Sequence, residues 1–370
     1  MGRAGTGYIV SGQLKKSYFI LVPSLVPTGP VRGAIAFANA IAGKREVKLV
    51  SLKLGGEWKP CLDKRVEVIC LESKNSGWFA KKRAYCDLLA KQGGPEKTLS
   101  LSMCFSADML NLLCRRHARI FSSIRGNLPI NYRLDYGFLG IFLAYFHLSL
   151  LRGFDYVSVM SSAMANQVSP LCSGKPLLVG NFIDEKPVDQ YRENYVRNEK
   201  FKFIFVGSLT ERKQPLLLVE SVRSLCEEGH DAYLDVIGSG PLEKSIRDLV
   251  SLYDLGSRVN LHGQVESPLS LLSKADAFVL PSLSEGVSRA ALEALHIGLP
   301  CILRRVDGND ELVQPGVNGL LFEEDDGLLP AMRKLLSKSN RRRKSLLPDG
   351  FRQKEESDKI LSYVEKNGNS

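Results

Sequence analysis

The sequence predicts an α/β protein made of two doubly wound, Rossmann-like domains whose parallel sheets face each other across a cleft. Three observations carry that prediction. Short apolar runs rich in strand formers recur along the chain and alternate with stretches of helical apolar spacing. The alternation stops in a polar, charged segment from Asn181 to Glu199 and then restarts. A chain of 370 residues, 44% hydrophobic and 24% charged, is long enough for two ordinary cores and composed like a globular protein.

The elements follow in order. Tyr18–Val22 is the first strand, and a Pro/Gly loop from Pro23 to Gly29 leads into helical spacing over Val31–Ala42. Val47–Leu52 is the second strand, which completes the opening unit of a parallel nucleotide-type sheet. Further strands are predicted at Val66–Leu71, Thr98–Met103, Arg119–Ser123, Tyr156–Met160 and Pro176–Val179. After the polar segment come a strand at Phe201–Val206, a loop to Gln214, and a helix from Pro215 with proline in its first turn. Ala232–Ile237, Val259–His262, Ala277–Leu280 and Pro300–Leu303 continue the second sheet. The expected division is 1–184 for the first domain and 185–349 for the second. The stretch 350–370, helical in pattern over Glu355–Glu365, is expected to pack back on the first.

Eight cysteines lie scattered, with no Cys-x-x-Cys pair and no zinc-type spacing to a histidine, so they read as single buried thiols in a reducing compartment. No apolar run precedes Tyr18, so a secretory leader is not expected, and the loose myristoylation pattern over Met1–Thr6 reads as chance. The formal net charge of +10 gathers at Lys15-Lys16, Lys81-Lys82-Arg83, Arg115-Arg116 and Arg341-Arg342-Arg343-Lys344. Each cluster taken singly reads as a solvated face. Attraction to an anionic membrane surface, with peripheral contact, or to phosphate-rich substrates is the other reading, and nucleic acid lacks any reader motif to accompany the charge. Tyr136–Leu151 carries no acid, Lys or Arg but falls short of the ~20 residues of a spanning helix, and is expected as a buried or partly buried helix, with contact at a membrane interface as the lesser reading.

The chemistry concentrates between Leu280 and Pro300. A Pro/Ser loop leads from the strand to Glu285-Gly286, and helical composition over Val287–His296 contains Glu293 and ends at Gly298. Eight helical residues rise ~12 Å and leave two side chains ~80° from a full repeat, so both carboxylates can serve one extended ligand. Free amides at Gly286 and Val287 suit a diphosphate at a helix start, and the two carboxylates suit sugar and ribose hydroxyls. Alone, Glu285 would read as a capping acid and Glu293 as a solvated helix residue.

Context changes that reading. Glu285-Gly286, Glu293-Ala294 and Gly298-Leu299-Pro300 match an E-G-x6-E-A motif followed by G-x-P. Asn318-Gly319-Leu320-Leu321-Phe322 matches an N-G-L-L-F turn, and Gly238-Ser239-Gly240-Pro241 a G-x-G-P. Val206-Gly207-Ser208-Leu209 through Lys213 matches V-G-R-L-x-x-x-K. In these places the chain resembles glycosyltransferase family 4, whose members are retaining enzymes with the GT-B architecture of two facing Rossmann-like domains.

The resemblance implies Glu285 as the carboxylate holding the donor sugar, Glu293 as the ribose ligand and Lys213 as the cation on the diphosphate. It implies Gly29 as a close approach to phosphate or acceptor, and Gly207, Ser208, Arg212, Gly240, Gly286 and Val287 as substrate-binding positions. Ser208 stands where the family has arginine, with Arg212 or Arg289 as candidate replacements, and neither His117 nor His147 matches the family's N-terminal-domain histidine. The expected reaction is transfer from a nucleotide-diphosphate sugar, with UDP as the expected base, to a glycan or lipid-linked acceptor. It needs no cofactor and no metal, and the setting is bacterial surface polysaccharide synthesis. The expected location is cytoplasmic, at the inner face of the membrane. A nucleotide-sugar epimerase would need acids in the first domain, and a non-catalytic polyanion binder would gain nothing from two carboxylates.

Overall fold

The computed structural model describes residues 16–26, 28–55, 61–72, 77–172, 174–193, 200–337 and 344–367. Met1–Thr6, Lys15, part of the polar segment and Arg341–Arg343 lie outside the described residues. The first sheet contains β1 (Ser17–Ser24), β2 (Glu46–Lys53), β3 (Val66–Cys70), β4 (Thr98–Ser102), β5 (Arg119–Ser123), β6 (Tyr156–Val159) and β7 (Leu177–Leu178). The second contains β8 (Phe201–Val206), β9 (Ala232–Ile237), β10 (Val259–Gly263), β11 (Ala277–Leu280), β12 (Cys301–Arg304) and β13 (Gly319–Phe322).

The strand orders are β3-β2-β1-β4-β5-β6-β7 and β10-β9-β8-β11-β12-β13, and every pairing is parallel. Both sheets therefore wind outward in two directions from a central strand, and the order reverses between β1 and β4 and between β8 and β11. Ligands enter such sheets beyond the carboxyl ends of the strands at these reversals. Central strands covered by helices on both faces are apolar throughout: Phe19, Ile20 and Leu21 of β1 and Phe203, Ile204 and Phe205 of β8 are all fully buried. Gly319–Phe322, expected as a turn, is an edge strand paired to β12.

Within the polar segment, Lys186–Glu193 forms a helix that seats Val188 in the core, and Asp189 Oδ1 lies 2.9 Å from His296 Nε2 of the helix Arg289–Ile297. The final helix, Gln353–Asn367, lies against the helix Gly29–Ile41, and its Ile360, Leu361 and Val364 belong to the same buried cluster as Tyr18 and Phe37. Its Glu356 is fully buried and accepts a 2.6 Å hydrogen bond from the Gly180 amide.

The apolar stretch Tyr136–Leu151 forms a partly buried helix as expected, over Phe138–Leu150, and Gly137, at φ 64° and ψ −150°, separates it from the preceding helix Leu128–Tyr136, which packs against it. Gly140 presses against the Tyr132 backbone, and Gly140, Ala144, His147 and Leu148 are the buried positions of the second helix. Phe138 and Leu139 are 73% and 76% exposed. Small residues at the contact bring the two helices together, and among the described residues the large apolar side chains that remain are exposed. One expectation needs correction, that of single thiols. Cys86 and Cys114 are joined in a disulfide, Cα atoms 5.4 Å apart, between the helix Trp78–Ala90 and the end of Phe105–Leu113. Their proximity is created by packing, so a separation of 28 residues gave no sign of it. Among the described residues no helix is long and apolar enough to cross a membrane.

Candidate active site

The carboxyl ends of both sheets meet at one cleft. Gly29 lies beyond β1, Arg125 beyond β5, Gly207 and Ser208 beyond β8, Glu285 beyond β11 and Asp307 beyond β12. Several contacts cross the cleft. Asn181 donates to the Val287 carbonyl at 2.8 Å, and Asn127 donates to Asp307 Oδ1 at 3.3 Å. Arg212 approaches Asp135 at 3.7 Å. The Ser162 amide donates to Glu311 at 2.7 Å.

Lys213 and Glu285 form an ion pair at the floor of this region, with 13% and 9% of their side chains exposed. Lys213 comes from a single 3₁₀ turn, Glu211–Lys213, ahead of the helix Pro215–Glu227. Asp307 positions Glu285, since its Oδ2 accepts from the Ser284 hydroxyl at 2.9 Å and from the Glu285 amide at 3.1 Å. Burial pushes the Glu285 carboxyl upward, but the Lys213 and Arg212 charges outweigh it and leave the group below the ordinary glutamate range. Burial, opposed by Glu285 and reinforced by Arg212, draws the Lys213 ammonium below the ordinary lysine range. Arg212 also donates to the Ser284 carbonyl at 3.2 Å, which puts it beside the pair.

The helix carrying Glu293 starts later than expected. It spans Arg289–Ile297 and is capped by the Ser288 hydroxyl, which accepts from the Ala291 amide. Glu285, Gly286 and Val287 precede it as loop, so Glu285 and Glu293 do not ride on one continuous helix. Glu293 is 4% exposed and lies 3.8 Å from both Arg289 and Arg32, the latter from the first turn of Gly29–Ile41. Its Oε2 has no partner within the described residues, and neither has Arg289 Nε. A buried carboxylate oxygen without a donor is costly, and a ligand hydroxyl would satisfy it.

Arg125 was not anticipated. Its Nη2 donates to Asn181 Oδ1 at 3.0 Å, while its carbonyl backs onto Gly286, where a Cβ would sit 2.5 Å from that oxygen. Burial, and then repulsion from Arg289, draws its guanidinium down to about 10, and burial brings Arg289 to about 10 as well. Arg32, Arg125 and Arg289 thus crowd the cleft with positive charge that Glu293 only partly offsets. A basic residue in a Gly-flanked loop just past a strand, Arg125-Gly126 after Ser123, is the signal that could have found it.

Each remaining expected residue has a definite place. Gly207 and Gly240 meet each other's loops: a Cβ at Gly238 would be 1.8 Å from the Gly207 carbonyl oxygen, and one at Gly240 2.4 Å from that of Leu209. Those glycines serve backbone-to-backbone packing. Ser208 sits in the same loop, exposed, at the head of the cleft. Gly29 has no described atom within 4 Å of its would-be Cβ. His147 is buried, with Nε2 2.8 Å from Asp108 and Nδ1 3.0 Å from the Tyr132 hydroxyl. His117, partly buried at the foot of β5, lies at the amino ends of the strands, away from the cleft. Among the described residues no three His, Cys, Asp or Glu side chains are arranged to hold a metal ion.

The family described as "Glycosyl transferases group 1" matches residues 188–345. That match takes in 158 of the 370 residues, so the second domain resembles a group 1 glycosyl transferase domain, and the chain as a whole has the GT-B fold. That domain contains the Lys213–Glu285 pair, Glu293 and Asp307. The Escherichia coli UDP-Gal:alpha-D-GlcNAc-diphosphoundecaprenol alpha-1,3-galactosyltransferase is 34% identical over 134 residues, 35% of either chain. The Erwinia amylovora amylovoran biosynthesis glycosyltransferase AmsK is 32% identical over 137 residues, 35% of this chain and 34% of that one. The chain therefore spans about a third of the length of these curated relatives. The solved structure of the Anabaena protein HepE, in complex with UDP and glucose, matches with a TM-score of 0.74 at 15% identity. That match covers 95% of this chain and 99% of the other, so both domains share the fold.

Proposed function

We propose that this protein is a retaining, metal-independent glycosyltransferase. It moves a hexosyl group from a nucleoside-diphosphate donor, with UDP as the base, to a glycan or lipid-linked acceptor of a bacterial surface polysaccharide. The observation that carries the reading is the buried Lys213–Glu285 pair beyond β8 and β11, next to Gly286, which packs against the Arg125 backbone of the other domain. An ionised carboxylate in that position accepts hydrogen bonds from the donor sugar's hydroxyls. The unpartnered Glu293 Oε2 takes a ribose hydroxyl. Lys213 and Arg212 stabilise negative charge on the departing diphosphate, with Arg125 and Arg289 nearby, which offsets the missing arginine at Ser208.

In this mechanism the acceptor oxygen bonds to the anomeric carbon on the face from which the diphosphate leaves. The glycosyl C–O bond to phosphate breaks with its electron pair going to the diphosphate, and the acceptor's proton passes to a phosphate oxygen. Positioning and charge stabilisation do the work, and no side chain is required as a base. The donor supplies all the chemistry, so no cofactor is assigned. The expected location is the cytoplasmic face of the membrane, where nucleotide sugars and lipid-linked acceptors meet, with peripheral contact to anionic lipid. The activities of the relatives named above support this setting.

The deciding experiment measures nucleoside diphosphate released from UDP-, GDP- and ADP-sugars by wild type and Glu285→Gln. We expect turnover of one donor, unaffected by a chelator and lowered about a hundredfold or more in the variant. Strict dependence on a divalent metal, or equal turnover by the variant, would refute this mechanism.

A further inference from the structure

We infer that the helix pair Leu128–Tyr136 and Phe138–Leu150 is a docking surface for an anionic lipid bilayer. This deepens the transferase reading by naming the face through which the enzyme meets a lipid-linked acceptor. Tyr136, Phe138, Leu139, Phe142, Tyr145 and Phe146 each present at least half of their surface to solvent. A contiguous exposed group of large aromatic and aliphatic side chains marks an interaction site. They are ordered against one another as well: the Phe138 and Phe142 rings meet edge to face at 5.6 Å, and Phe146 meets Phe105 at 6.0 Å.

Charge selects the occupant. From Ile124 to Phe154 the chain holds one acid, Asp135, and that carboxylate lies 3.7 Å from Arg212 across the cleft. At the far end of the face, exposed Arg152 follows the second helix, Arg115 reaches to within 3.7 Å of the space beside Gly153, and exposed Arg116 is next to it. Exposed Arg133 lies on the first helix. A cation-rimmed apolar face repels a second copy of itself. A sheet of anionic head groups over acyl chains accepts both the rim and the apolar side chains. Position adds a reason: Asp135, on the same helix pair, touches the loop that carries Lys213. A lipid-linked acceptor could then reach the cleft without leaving the membrane.

The test is flotation of the full chain with phosphatidylcholine vesicles, with and without phosphatidylglycerol. Wild type should bind the anionic vesicles about tenfold or more tightly than the neutral ones, and lose that binding in high salt. The variant Phe138→Ser/Leu139→Ser/Phe142→Ser should lower partitioning about a hundredfold, with its melting temperature and circular dichroism little changed because these side chains stay mostly exposed and lie outside the buried core. Arg115→Glu/Arg116→Glu should lower the anionic preference selectively. No vesicle binding by wild type, or undiminished binding by the triple variant, overturns the inference. A wild-type dimer that the triple variant splits also overturns it, in favour of a second copy. Vesicle binding and donor turnover are read separately, so failure of one leaves the other standing.

Discussion

At the residue scale, the Lys213–Glu285 pair combines opposite demands. Two charges withdrawn from water are costly, and their attraction repays the loss only while both are present. Lys213→Ala should therefore lower stability by about 3–5 kcal/mol, whereas Lys213→Met combined with Glu285→Gln should recover most of it, in urea denaturation of each variant. Both variants lose turnover, which separates stability from function at one site. The pH dependence follows from the directions of the shifts. Glu285 lies below its ordinary range, so its contribution to stability is present at neutral pH and is lost as pH falls through its folded value. Lys213 also lies below its ordinary range, so its positive charge disappears at lower pH than that of a free lysine. Donor affinity, followed by titration against UDP, should fall on the alkaline side before pH ~10.4 and not beyond it.

At the element scale, the loop from Leu280 to the Ser288 cap decides how the two carboxylates are presented. The spacing of Glu285 and Glu293 is plain in the sequence, and so is the stop at Gly298. The geometry is less plain, because a loop followed by a short helix places the first carboxylate differently from one continuous helix. Gly286 shows why the loop cannot be read alone: its α-carbon faces the Arg125 carbonyl of the other domain. Gly286→Ala should force the loop or the domain apart, costing about 1–3 kcal/mol by thermal unfolding. Donor turnover should drop with it, since Glu285 is adjacent. Full activity in that variant would show that the domains separate during the reaction. The helix pair around Gly137 makes the same point from the opposite direction. Apolar residues on all sides of a helix imply burial, and whether anything in the chain supplies a cover is decided elsewhere.

At the scale of the whole molecule, the chain crosses between its domains more than once. The polar segment leads from the first to the second, and the last helix, Gln353–Asn367, returns to pack on the first. Buried Ile360, Leu361 and Val364 and the Glu356 bond to Gly180 fasten that return. Ending the chain before Gln353 should destabilise the first domain by about 3–5 kcal/mol, read as a lower urea midpoint and faster proteolysis of residues in β1 and β2. Unchanged stability would mean the helix only rests on that surface.

The alternation of strands and helices, the interruption between two sheets, and the placement of Glu285, Glu293 and Lys213 after strand ends were legible in the residues alone. Each of these is a local pattern: a period set by backbone geometry, or a residue type placed just beyond a strand. Even the edge strand Gly319–Phe322 escaped, because four residues beside a turn carry too little period to be told from it. It is the folded arrangement that brings Arg32, Arg125, Asn181 and Asp307 to those motifs, joins Cys86 to Cys114, and leaves the aromatic face of Phe138–Leu150 exposed among the described residues. Those outcomes depend on which surfaces two domains and a returning helix bring together, and pairwise approach across long stretches of chain leaves no periodic trace in the residues that make it.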